Sequence, residues 1–277
     1  VYMRRTFFDL LKDSHVDVNI ELQKLKDLFR QDCCYQWGES YSLYDLVSEN
    51  FAKQYKRREH FLSLQELLNA INLECFDISE FDKYFIYAEM YVDLISILDG
   101  SGNKGIESQK QVIKCQIEMV ISSLGYKFIV VDDRQIIVEN NVFANEATQV
   151  VTEFADIKEA LSILEYNHFS NKGNIDRKKE ILIKIASLLE PWRDDLNNNI
   201  AFKDVLKLDN KKVLAVDKLF RMFNTLNIRH NNDGQQLTNM DNNTVEAWYD
   251  KIYTMSLFVI LGKDVAQILA DFNEFVD

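Results

Sequence analysis

Proline is nearly absent from this chain: Pro191 stands alone among 277 residues, where ordinary usage would give about 14. Glycine is scarce as well, eight residues against about 19. With so few breakers, long uninterrupted helices are expected and a fold built of many tight turns is excluded. Histidine numbers four (His15, His60, His168, His230), with neither an HExxH run nor a Cys/His ligand spacing, so no metal site and no cofactor are expected. The four cysteines (Cys33, Cys34, Cys75, Cys115) contain no CxxC pair, and vicinal Cys33 and Cys34 cannot form an unstrained bridge. They read as reduced thiols, three or more of them filling core. No apolar run approaching the roughly 18–20 residues of a bilayer span is read, and the opening VYMRRTFFDLLKD carries charge at every turn. The expectation is a cytoplasmic protein with no membrane contact.

Positive charge is in deficit too. The net charge of −12 opposes a broad nucleic-acid footprint, which needs a basic face. Two local clusters, Lys53/Lys56/Arg57/Arg58 and Arg177/Lys178/Lys179, read as solvated helix faces. What is abundant is apolar residues at 47% and aromatics at 12%, enough for one large core or two modest ones.

Helical spacing recurs along the chain. Val18, Leu22, Leu25 and Phe29 fall on one face, as do Leu43, Leu46, Val47 and Phe51 within 41–58. A third helix starts near Ser63 with Leu64, Leu67, Leu68 and Ile71. A fourth runs from an N-capping Ser79 through Phe81, Phe85, Ala88, Val92 and Ile95. The cluster Gly100 to Gly105 is read as a surface turn, since no GK[ST] follows it, and a long helix occupies 106–124. The period then changes. The runs 126–131 and 136–138 are β-rich and flank Asp132-Asp133, which predicts one β-hairpin. Helices resume at 157–164, 181–189, 213–226 and 245–275, the last with a break at Gly262. Pro191 followed by Asp194-Asp195 reads as a proline-led helix start with an acidic first turn. The fold class is mainly α, a multi-helix bundle with one β-hairpin insertion. The layout is a helical region over 1–125, the hairpin over 126–140 and a C-terminal helical bundle over 141–277.

Two polar clusters interrupt apolar faces. In 165–169, His168 continues the stripe Ile157, Leu161, Leu164, beside Glu165 and Asn167, and is expected to face inward. In 227–232, His230 continues the stripe of Phe223 and Leu226, Asn231 and Asn232 follow it, and Arg229 points nearly opposite. The bland reading makes each histidine a satisfied core residue and 231–234 a helix cap and turn. The sharper one brings His168 and His230 from neighbouring helices into one polar pocket with Asn167 and Asn231, two histidines acting as acid and base on a phosphodiester while Arg229 meets phosphoryl charge.

The segments ILEYNHFSNKGN (163–174), KKEILIKIASLLEPWRDDL (178–196), FNTLNIRHNN (223–232) and EAWYDKIYTMSLFVIL (246–261) together resemble a family of bacterial helical proteins similar to abortive-infection proteins. The C-terminal part of that family is related to the HEPN (higher eukaryote and prokaryote nucleotide-binding) domains. The resemblance spans roughly residues 106–265. It implies an accessory or effector protein of phage defence, a homodimer, and a metal-independent ribonuclease whose Arg and adjoining polar residue match Arg229 and His230. It also implies RNA or a nucleotide, or a partner protein, as ligand. The HEPN motif carries a further His a few positions on, and 231–237 contains none. Either His230 takes that role, or the fold is a non-enzymatic interaction or nucleotide-binding module. On the first alternative Arg229, His230 and His168 are the catalytic candidates, with Glu165, Asn167, Asn231 and Asn232 as binding residues.

Overall fold

The computed structural model describes residues 16–36, 38–75, 77–198, 213–228 and 240–276, and they are mainly helical. The chain divides into two compact units, 1–130 with 134–137, and 131–133 with 138–277.

In the first unit each described α-helix begins where a short polar side chain captures otherwise orphaned amides, a contact worth about 1 kcal/mol. Helix α1 (Val18–Arg30) starts at Asp17, whose carboxylate accepts from Asn19 N at 3.0 Å and Ile20 N at 3.2 Å. Its predicted stripe of Val18, Leu22, Leu25 and Phe29 is the buried one. Strands β1 (Asp32–Gln36) and β2 (Glu39–Ser42) form an antiparallel pair. Ser42 then closes a capping box with Asp45 and opens α2 (Leu43–Gln54), whose Leu43, Leu46, Val47 and Phe51 are buried. Helices α3 (Leu64–Glu74), α4 (Glu80–Ile95) and α5 (Lys104–Ser123) are capped by Ser63, Ser79 and Asn103. Phe29 packs on Tyr91 of α4 with ring centroids 4.5 Å apart, which ties α1 to the centre of this core.

Strands β3 (Tyr126–Val131) and β4 (Arg134–Glu139) form the predicted hairpin. Asp132 (φ 47°) and Asp133 (φ 61°) both adopt left-handed backbone, as a two-residue turn matched to strand twist demands.

The second unit contains α6 (Val142–Thr152), α7 (Ile157–Glu165), α8 (Ile175–Leu189), α9 (Arg193–Asn198), α10 (Leu214–Thr225) and α11 (Asn242–Val276). Helix α11 packs against α6, α8 and α10, and α7 fills the angle between α6 and α8. Its Tyr249, Ile252, Tyr253, Val259 and Ile260 lie in the core.

Several expectations change. The β1–β2 pair is a second hairpin, and it holds Cys33 and Cys34. A bulge between Asp32 and Cys34 aims both thiols at the Tyr41 carbonyl, at 3.5 and 3.9 Å. All four cysteines are free thiols, yet only Cys75 is buried; Cys33 and Cys34 are half-buried and Cys115 is exposed. Burial, and next the Cys34 thiol, push Cys33 up to about 12, so it stays protonated. Helix α11 runs through Gly262 without a break, because a lone glycine costs only about 1 kcal/mol against a helix anchored along its length. Pro191 sits in a 3-10 turn (Glu190–Trp192) between α8 and α9, with Asp194 and Asp195 in the first turn of α9. Over Asn242–Phe272, α11 is also long and apolar enough to cross a membrane, although 44% of its apolar window is buried inside the protein.

Candidate binding groove in the second unit

The segment 165–171 is where α7 hands over to a 3-10 turn (Phe169–Asn171) before α8. Helix α7 ends at Glu165, so a helical phase extrapolated to residue 168 does not apply. Its buried face is Ala160, Ile163 and Leu164, while Ile157 is 63% exposed in the first turn. His168 therefore does not enter the core as predicted. It is half-buried in extended conformation at the start of the turn, its Nδ1 2.7 Å from Ser170 Oγ and accepting from Ser170 N at 3.3 Å. Arg229, His230, Asn231 and Asn232 lie outside the described residues.

Asn167 is committed inward. Its Nδ2 donates to Tyr253 Oη at 2.6 Å, its carbonyl accepts from Glu139 N at 2.9 Å, and Tyr253 Oη donates in turn to the Ile163 carbonyl at 2.8 Å. Tyr253 stacks on Tyr166 with centroids 4.0 Å apart, and Tyr166 donates to Asp250 at 2.8 Å. Lys178, expected on a solvated face, is buried and bonded to both Asp250 and Glu246 at 2.7 Å. Glu246 also accepts from Gly173 N at 2.8 Å. Burial, and then Asp250, drive the Tyr166 hydroxyl far upward, and burial does the same to Tyr253. The Lys178 hydrogen bond, followed by the Gly173 amide, holds Glu246 below its ordinary value. This network satisfies buried polar groups and fixes α8 and the 165–171 segment on α11.

Glu165 looks the other way. Its carboxylate pairs with Arg177 and lies 3.5 Å from Lys184, at the inner end of a groove of about 650 Å³ beside α7 and α8. Leu161, Ile183, Leu188 and Trp192 supply an apolar floor, and Phe154 stands at one side, 57% exposed. Asp132, Lys158, Glu159 and Lys184 add charge of both signs to the groove lining. Phe154 and Trp192 meet edge to face at 5.7 Å, and Lys263 of α11 places its ammonium 3.6 and 3.8 Å from their ring centroids. Such cation–π contacts are worth about 0.5–2 kcal/mol each and hold both rings in place. Sequence reasoning missed this trio, since residues 154, 192 and 263 share no motif or period; Pro191-Trp192 after a long apolar helix was the one local signal.

Chemically the groove offers apolar area and balanced charge. Its one buried carboxylate, Glu165, is already paired with two cations. Among the described residues no cluster of three or more His, Cys, Asp or Glu could hold a metal ion. Comparison with family models, with curated proteins and with solved structures finds no match.

Proposed function

We propose that this chain is a non-enzymatic helical interaction protein whose second unit takes an apolar or aromatic anchor of a partner polypeptide in the groove beside α7 and α8. The observation that carries the reading is the Phe154–Trp192 pair, Phe154 largely exposed and both rings under Lys263, in a groove lined by apolar side chains and by charges of both signs. Well-packed aromatics beside uncommitted apolar surface are what binding hot spots are made of, and a helix lying between two helices is a recurrent mode of capture. The engagement of Asn167 with buried Tyr253, and of Glu165 with two cations, also supports it, because groups already bonded in this way are poorly placed to move protons for a substrate.

The test is selection of amphipathic 20-residue peptides from a display library against the full chain, followed by titration of the enriched peptide. Binding should weaken at least 30-fold in Ile183→Glu or Trp192→Ala, a hot-spot loss of about 2 kcal/mol, and stay unchanged in Glu118→Gln. Selected peptides indifferent to the groove variants would overturn the reading. So would cleavage of a labelled RNA that Arg229→Ala or His230→Ala abolishes, which is the outcome a HEPN-like ribonuclease of phage defence requires.

A further inference from the structure

Cys33 and Cys34 are free thiols at adjacent positions of β1. In a regular strand neighbouring side chains leave on opposite faces, which would keep two such sulfurs apart. The bulge between Asp32 and Cys34 cancels that alternation, and both sulfurs converge on the Tyr41 carbonyl, at 3.5 and 3.9 Å. The Cys34 thiol is also a hydrogen-bond partner of Cys33. Behind the pair the backbone is held, because the Cys33 carbonyl packs on Gly105 of α5 with no room for a Cβ between them. Both residues are half-buried, so the two sulfurs are set in place and still reachable from solvent.

The surroundings select what such a pair can take. A direct S–S bond of about 2.05 Å between vicinal cysteines strains the peptide unit that separates them, whereas an atom inserted between the sulfurs spans the gap. Metal capture needs thiolates, and burial, then Cys34 and the carboxylates of Asp32 and Asp45, keep Cys33 protonated. A single cuprous ion on two thiolates would leave a net negative charge beside those carboxylates. Among the described residues no third His, Cys, Asp or Glu joins the pair in a metal-holding cluster. A monosubstituted trivalent arsenical meets all of these conditions. It has one bond to carbon and two to exchange, so two sulfurs satisfy it, and its product is as neutral as the thiols it replaces. Both S–H bonds break and two As–S bonds form, while the arsenic-bound oxygen leaves as water with the two protons. Arsenic stays trivalent, so no oxidant or reductant is required.

We infer that Cys33 and Cys34 are a dithiol site that captures monosubstituted trivalent arsenicals as a cyclic adduct. Phenylarsine oxide added to the reduced full chain should give a one-to-one adduct by intact mass spectrometry, heavier by the reagent less one water. Two free thiols should disappear, the adduct should survive millimolar glutathione, and ethanedithiol should restore both thiols. Peptide mapping should place arsenic on Cys33 and Cys34, a readout that needs no variant to fold. Cys33→Ser and Cys34→Ser should each weaken capture at least about 100-fold by removing the chelate, with unchanged far-ultraviolet circular dichroism, while Cys115→Ser leaves it unchanged. Inorganic arsenite, which has a third oxygen to exchange and only two sulfurs to meet it, should bind more weakly. A wild type that forms no adduct overturns the inference, as does an adduct on Cys75 or Cys115 or one that persists in both serine variants. Arsenite held more tightly than phenylarsine oxide would require a third thiol and overturns it too.

Discussion

Lys178 shows how much a single buried ammonium can organise. A lone charge at that depth would cost several kcal/mol, and two carboxylates from α11, Glu246 and Asp250, make the position tolerable. The exchange has a signature in pH. Glu246 is held below its ordinary value near 4.5, first by Lys178 and then by the Gly173 amide. Above that value the folded and unfolded chains both carry the carboxylate ionised, and its stabilisation is fully present. As pH falls below it the unfolded chain takes up the proton first, and the contribution drains away until the folded group protonates as well. Glu246→Gln should therefore cost about 1–3 kcal/mol at neutral pH and flatten the fall of Tm between about pH 5 and pH 3. An unchanged slope in thermal melts across that range would show that Glu246 does not carry this linkage. The segment 165–171 was conspicuous in the sequence because polar residues interrupt an apolar helix. Its partners Tyr253, Asp250 and Lys178 lie 86, 84 and 12 residues along the chain from the residues they meet, so periodicity could flag the cluster without showing where its bonds go.

At the scale of elements, the glycine cluster 100–105 contains two different uses of one residue type. Gly100 (φ 79°) and Gly102 (φ 68°) make the turn that the sequence predicts. Gly105 lies inside the first turn of α5, where a Cβ would stand 2.0 Å from the carbonyl oxygen of Cys33 in β1. That oxygen is backbone, so relief requires α5 and β1 to separate. Gly105→Ala should destabilise by about 2–3 kcal/mol in denaturant unfolding, against less than about 0.5 kcal/mol for Ser108→Ala on the exposed side of the same helix. Equal effects from the two substitutions would remove the close approach as the reason for glycine. Helices with clear stripes and side-chain caps, α1 and α2, were legible because local sequence and tertiary burial agree, whereas α4 has its expected cap at Ser79 but leaves Phe81 of its expected stripe 49% exposed. The β1–β2 hairpin was not: its bulge at Cys33 breaks the alternation that betrays a strand, and its strands are only five and four residues long. In α7 the error was one of phase, since Ile157 sits in an exposed first turn and the helix stops before His168.

For the whole molecule, charge decides more about partners than any single residue does. A net charge of −12 sets a repulsive field for polyanions, and a binder must overcome it with a local cradle of uncommitted cations. The groove does not provide one. Lys184 faces Glu165 at 3.5 Å, Lys158 lies 4.0 Å from Asp132, and Lys263 is occupied by two aromatic rings. Lys178, which the sequence offered as part of a basic cluster, is withdrawn into the core. A 20-nucleotide single-stranded RNA should accordingly bind more weakly than about 10⁻⁴ M at physiological salt, the weak edge of ordinary non-specific association. Fluorescence anisotropy from 50 to 200 mM salt checks this directly. A micromolar affinity that falls steeply with salt, with a log–log slope of several, would reveal a phosphate-binding face that the groove does not supply, and would shift the weight of the functional reading away from it. Weak, salt-insensitive binding leaves the polypeptide-binding groove as the better account, because apolar area and paired charges respond little to ionic strength.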